Sequence, residues 1–229
     1  MKAFINCKYT KEQAVALAWK HYKQDQFMQG TYGEGKYGTT EFKGCSVGCM
    51  ANGVHNDYPN LFGIVPQIAY LSDAIFEGLD TVDTKEWTLQ LFNSIKVGSN
   101  TKSIFHKFMH FILVDPKHGV IKFSECYEIK HVADLHLKAA SGEEITDEAW
   151  AAARTAAYVA AHAGYTGTYD AAYAAARTAA NAHPAAARTT ADHAADAAYS
   201  THHATTAACE KHYQIMRDKL IELFENEVV

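Results

Sequence analysis

The sequence predicts an all-α protein: a multi-helix bundle with a long Gly-rich loop and Ala-rich carboxy-terminal helices. Three observations predict it. Apolar residues recur at helical spacing, with capping residues, in segment after segment. No two runs of alternating apolar and polar residues compete with them as paired strands. Residues 150–209 are so rich in alanine that Val159 is their only larger aliphatic side chain. Alanine has the highest helix propensity but buries little surface, so those helices need other surfaces to pack on.

In order along the chain, Thr10 and Gln13 make a capping box ahead of Ala14, Leu17, Ala18 and Tyr22, which predicts a helix running to about Phe27. Residues 30–53 turn to glycine, threonine and tyrosine. A loop of that length is uncommon in a compact domain and tends to carry function. Pro66 opens the next helix, 66–79, with Ile68, Leu71, Ile75 and Leu79 on one face. Thr84 is the expected cap of a helix carrying Trp87, Leu91 and Ile95 and ended by Gly98. Asn100 or Thr101 starts the most hydrophobic helix, 104–114, closed by Pro116 and Gly119; His106 and His110 read as its wetter side. Residues 120–123 read as a short strand without a partner, and 127–140 as a helix.

Ala-rich helices follow at 146–163, 168–181 and 184–226, Pro184 either opening the last or kinking a longer one. The face of Ile215, Met216, Leu220, Ile221 and Phe224 is expected to dock on the amino-terminal core. The organisation is therefore a helical domain over 1–140, containing the loop 30–53, with an Ala-rich region over 141–229 packed on it, or the two together as one single domain. Where small alanine faces meet, burial against a second copy of the chain predicts a homo-oligomer.

Composition excludes several function classes. The formal charge is −5 and the lysines form no block, so a nucleic-acid binder is not expected. The longest apolar run, 108–114, is far short of the roughly 20 residues of a membrane span, and the first residues show no export signal. Cys7, Cys45, Cys49, Cys126 and Cys209 are odd in number and scattered, which fits a reduced, cytoplasmic protein.

The polar residues of the alanine region fall in rows. Trp150, Arg154, Tyr158 and His162 are spaced four apart, as are Tyr169, Tyr173, Arg177 and Asn181, so each row lies along one helix face. The pentapeptide Ala-Ala-Ala-Arg-Thr occurs at 151–155, 174–178 and 185–189 and holds three of the chain's four arginines. A guanidinium grips phosphate or carboxylate with two parallel donors and stacks on aromatic rings, so arginines beside tyrosines suit a planar anion. The ligand-binding residues read this way are Arg154, Tyr158, His162, Tyr169, Tyr173, Arg177 and Arg188. Lys43 and Ser46 join them, from a loop whose glycines allow a nest of backbone N–H groups. The plainer alternative is a duplicated helical unit whose arginines pair with Asp170, Asp192 or Asp196.

Cys45, Cys49 and His55 have donor chemistry suited to zinc, but a fourth ligand would have to come from elsewhere, and the two cysteines read as small buried thiols. No metal, cofactor or catalytic residue is expected. There is no Walker motif, dinucleotide fingerprint, Gly-x-Ser-x-Gly elbow or His-Glu-x-x-His pair.

Lys-Gly-Cys-Ser-Val-Gly-Cys at 43–49, Ile-Phe-Glu-Gly-Leu at 75–79 and Arg-Asp-Lys-Leu-Ile-Glu-Leu-Phe at 217–224 resemble a group of Ala-rich helical proteins, largely phage-borne. The resemblance carries over a context rather than an activity. Small phage proteins without catalytic motifs include anti-defence sponges, which sequester a host immune nucleotide. The expected function is non-enzymatic sequestration of a small anionic, nucleotide-derived signal. The alternatives are an enzyme acting on such a ligand, with His55 or His162 as general base, and a helical rod for oligomerisation or protein contacts.

Overall fold

A computed structural model describes residues 1–123, 126–163 and 206–229. In chain order its helices are α1 (Lys11–Lys23), α2 (Ser46–Ala51), α3 (Tyr58–Phe62), α4 (Pro66–Gly78), α5 (Thr81–Ser94), α6 (Thr101–Val114), α7 (Tyr127–Ala140), α8 (Asp147–Ala163) and α9 (Thr206–Glu225). Short 3-10 turns occupy His55–Asp57 and Val120–Phe123. The described residues contain isolated β-bridges but no strand, so the fold is all-α as the helical periodicity predicts. The predicted helix 168–181 and residues 184–205 of the predicted helix 184–226 lie outside the described residues. Contacts divide the chain into two compact units, Met1–Lys102 with Arg217–Val229, and Ser103–Met216.

In the first unit, the capping box forms as expected. Thr10 Oγ1 accepts the Gln13 N–H at 3.3 Å and Gln13 Oε1 accepts the Thr10 N–H at 2.9 Å. The helix stops at Lys23, short of Phe27, because Asp25 turns left-handed with φ 51° and folds the chain back. The predicted loop 30–53 is not all loop: α2 lies inside it. The helix expected to be capped by Thr84 starts four residues earlier, since Asp80 Oδ1 accepts the N–H groups of both Val82 and Asp83 at 2.9 Å. Thr84 faces inward, and its hydroxyl donates to Asp80 O at 2.6 Å. One side-chain oxygen that accepts two otherwise unpaired N–H groups makes Asp80 the cap.

α1 packs on α5 and α2 on α4. The core holds Trp87, Tyr58, Phe62, Phe76 and Phe92, all fully buried, and Trp87 Nε1–H donates to Ser72 O at 2.9 Å. Of the apolar face expected to dock on the amino-terminal core, Leu220 and Phe224 are fully buried and belong to this unit, whereas Ile215 and Met216 belong to the second. Arg217, beside them, pairs with Asp83 of α5 at 2.6 Å.

In the second unit, α7 packs on α8, and Phe108, Met109, Leu113, Ile129 and Val132 are buried. His106 is not on a wet face. It is 1% exposed, with Nδ1 2.9 Å from Nδ1 of the buried His136, and Trp150 stacks on its ring at an interplanar angle of 10°. The helix is apolar nearly all round, so its imidazole is buried and bonded internally instead of solvated. His110 is half-buried. Residues Val120–Phe123 form a 3-10 turn where the sequence suggests a strand, as expected of an apolar run with no strand to pair with. Among the described residues, no helix is long and apolar enough to cross a membrane.

Candidate functional site

Asp73 and Glu77 stand one turn apart on α4, which brings both carboxylates to the same face. Asp73 is fully buried and Glu77 half-buried. Cys45 is the N-cap residue of α2, and because α2 packs on α4 its sulfur reaches that face. The sulfur and one oxygen from each carboxylate lie within 4.8 Å of one another. His55 heads the 3-10 turn after α2 and brings Nε2 to 3.3 Å from Asp73 Oδ2. Its ring stacks on Tyr70, with centroids 4.1 Å apart at 12°, and meets the Tyr32 ring edge-on at 5.5 Å. The imidazole is therefore held in one orientation, 6% exposed.

The Gly-rich loop builds this arrangement. Gly48 lets the Tyr32 carbonyl lie directly on α2, since a Cβ there would stand 1.9 Å from that oxygen. The Cys45 N–H donates to Thr31 O at 2.8 Å, which anchors the thiol residue to the loop. Gly30 N–H donates to Glu77 Oε2 at 2.8 Å, and Gln29 Nε2 donates to Phe76 O at 3.0 Å and Leu79 O at 2.8 Å, capping the end of α4. The N–H groups of the Lys-Gly-Cys stretch thus serve backbone carbonyls: Lys43 bonds Glu34 O and Gly44 bonds Gln26 O. Ser46 is fully buried, and the Lys43 ammonium lies 4.0 Å from Asp25. Cys49 turns to other partners, Gly44 O at 3.5 Å and Gln26 O at 3.6 Å.

The order of groups decides the chemistry. Asp73 bonds His55, and its charge acts on the Cys45 thiol, so a carboxylate and not an imidazole is the group beside the sulfur. Burial, and then the Asp73 charge, push the Cys45 thiol up, and burial pushes Cys49 up to about 12. Both stay protonated at neutral pH, unlike the thiolate of a cysteine nucleophile. What the cluster does assemble is one sulfur and two carboxylates, a donor set able to hold a metal ion, with the His55 imidazole bonded to Asp73 beside it. A groove of about 460 Å³ in the same unit, lined by Trp19, Tyr22, Glu86, Leu89, Asn93 and Ile221 among others, includes none of these four residues.

Asp73, Glu77, Tyr32 and Tyr70 carry no motif in the sequence. One signal was present: an acidic pair four apart in a helix whose Ile68, Ala69, Leu71, Ala74, Ile75 and Phe76 are all apolar, and all prove buried.

In the second unit, the row along α8 divides as it drifts by about 40° per four-residue step. Trp150, Ala153, Ala157 and Ala161 are buried, whereas Arg154, Tyr158 and His162 are exposed. Tyr158 and His162 rings lie 4.2 Å apart, and His162 Nδ1–H donates to Tyr158 O at 2.9 Å. Arg154 makes no ion pair among the described residues, in contrast to Arg217, which pairs with Asp83 at 2.6 Å and Asp218 at 2.8 Å. Tyr169, Tyr173, Arg177 and Arg188 lie outside the described residues.

Comparison of the chain with protein-family models, with curated proteins and with solved structures returns no match. Function has to be argued from these sites.

Proposed function

We propose that the protein binds and sequesters a small anionic, nucleotide-derived ligand without converting it, and that the exposed face of α8 forms part of the site. The observation that carries this reading is Arg154, an exposed guanidinium without an ion pair among the described residues, on the same face as the half-exposed Tyr158 and His162. A guanidinium already held by a carboxylate would favour the reading of a merely duplicated unit. Tyr158 offers a ring for a base to stack on, and Arg154 a two-pronged phosphate donor. Tyr169, Tyr173, Arg177 and Arg188, in the repeated segment of the sequence, offer the same stacking and phosphate-gripping chemistry. The protonated, buried Cys45 supports binding without covalent turnover. The resemblance to phage-borne proteins points to a host immune nucleotide as the ligand, and the alanine faces to a homo-oligomer as the binding form.

Calorimetry against cyclic and ADP-ribose-type nucleotides tests the proposal. One class binds, is recovered intact by mass spectrometry, and binds at least about tenfold more weakly to Arg154→Lys, while the melting temperature stays unchanged because an exposed Arg contributes only about 0–1 kcal/mol. Absence of binding by every nucleotide, or recovery of a converted product, refutes it.

A further inference from the structure

We propose that Cys45, His55, Asp73 and Glu77 form a four-donor zinc site in the first unit, independent of the anionic-ligand reading. Sequence spacing directs attention to Cys45, Cys49 and His55. The fold replaces Cys49, whose thiol donates to the Gly44 and Gln26 carbonyls, with the two carboxylates of α4.

Geometry and donor type carry the assignment together. Ligands about 2.0–2.3 Å from a tetrahedral zinc stand roughly 3.3–3.6 Å from one another. His55 Nε2 and Asp73 Oδ2 are already 3.3 Å apart, and the Cys45, Asp73 and Glu77 donor atoms lie within 4.8 Å. Rotation of the half-buried Glu77 draws the three grouped donors together, and His55, which lies beside Asp73 but outside that group, completes the shell by a movement of more than about 1 Å toward the sulfur and Glu77. Sulfur and imidazole select a borderline ion such as Zn²⁺ over Mg²⁺ or Ca²⁺, which take oxygen donors.

The surroundings hold these donors as the outer shell of a metal site does. Gly30 N–H orients Glu77, Gly48 N–H lies 3.3 Å from the Cys45 sulfur, and Tyr70 and Tyr32 fix the plane of His55. Four protein donors leave no open position, so the ion is structural: it ties the residue before α2, the following 3-10 turn and α4 to one point.

The test uses the full-length protein, stripped with chelator and titrated with Zn²⁺ and with Co²⁺. One equivalent of zinc binds, displacing the Cys45 thiol proton to solvent, and raises the unfolding midpoint, and Co²⁺ gives a thiolate charge-transfer band with the strong visible absorption of a tetrahedral site. Cys45→Ser abolishes the charge-transfer band, and Glu77→Gln weakens zinc binding at least tenfold with the helical circular dichroism retained. Cys49→Ser leaves both band and affinity intact. Glu77→Gln keeps the test decisive should Cys45→Ser fail to fold. Failure of the stripped, folded protein to bind zinc at micromolar free ion, or equal loss of the cobalt band in Cys49→Ser and Cys45→Ser, overturns the proposal and identifies a purely hydrogen-bonded cluster. Neither result bears on nucleotide binding.

Discussion

Gly48→Ala asks whether the Gly-rich loop is seated on α2. In an ordinary helix the change stabilises by about 1 kcal/mol, because alanine restricts the unfolded chain and has the higher propensity. Here the new methyl would stand 1.9 Å from Tyr32 O and 2.8 Å from Tyr32 C, both backbone atoms that no side-chain rotation can move. Relief requires the loop to lift by about 1 Å or more, the gap between 1.9 Å and ordinary contact. That movement stretches the 2.8 Å bond from Cys45 N–H to Thr31 O and draws the Tyr32 ring away from His55. Overpacking of this kind costs about 1–3 kcal/mol and a backbone hydrogen bond about 1 kcal/mol, so the clash outweighs the propensity gain. The expected net loss is about 1–3 kcal/mol. Urea unfolding followed by circular dichroism reads it as a midpoint lowered by roughly 1 M at unchanged slope, for a slope of about 1–3 kcal/mol per molar. An unchanged or raised midpoint would show that the loop does not lie against α2, and the positioning of Cys45 and Glu77 by that loop would fall with it.

Two further outcomes can be measured independently. His212 is buried in the second unit, and burial, followed by the charges of His118 and Lys122, lowers its pKa from 6.5 to about 4. The unfolded chain takes up this proton first, so stability is fully present above pH 6.5 and falls as the pH drops toward 4, by on the order of 3 kcal/mol from this group. Unfolding free energies of the parent and of His212→Leu should diverge in slope across that window, and parallel curves would refute the assignment. Asp80→Ala removes the acceptor of two N–H groups at the start of α5 and is expected to lose about 1 kcal/mol. Asp80→Asn should retain most of it; equal losses in the two variants would show that charge, not the cap hydrogen bonds, stabilises this terminus.

The sequence by itself determined what depends on near neighbours. Thr10 with Gln13, Pro66 with the Ile68, Leu71 and Ile75 face, and the apolar end of α9 are local patterns, because caps act within one turn and helical faces repeat every 3.6 residues. Even locally there was competition: both Asp80 and Thr84 are capping types, and only the packing of Thr84 against the carbonyls of Phe76 and Leu79 selects Asp80. α2 was hidden because a segment with glycines at 44 and 48 has poor helix propensity, and it forms where the Tyr32 backbone and α4 pack against it. His106 was misplaced for a related reason, since only His136 and Trp150, far along the chain, supply its buried partners.

The cluster at Cys45, His55, Asp73 and Glu77 is the clearest case of what tertiary structure alone decided. Its donors come from the edge of α2, the following turn and the far end of α4. Spacing along the chain cannot encode their meeting, because it results from the burial of one helix face against another; the same burial that hides the thiol and Asp73 from water makes their neighbours matter.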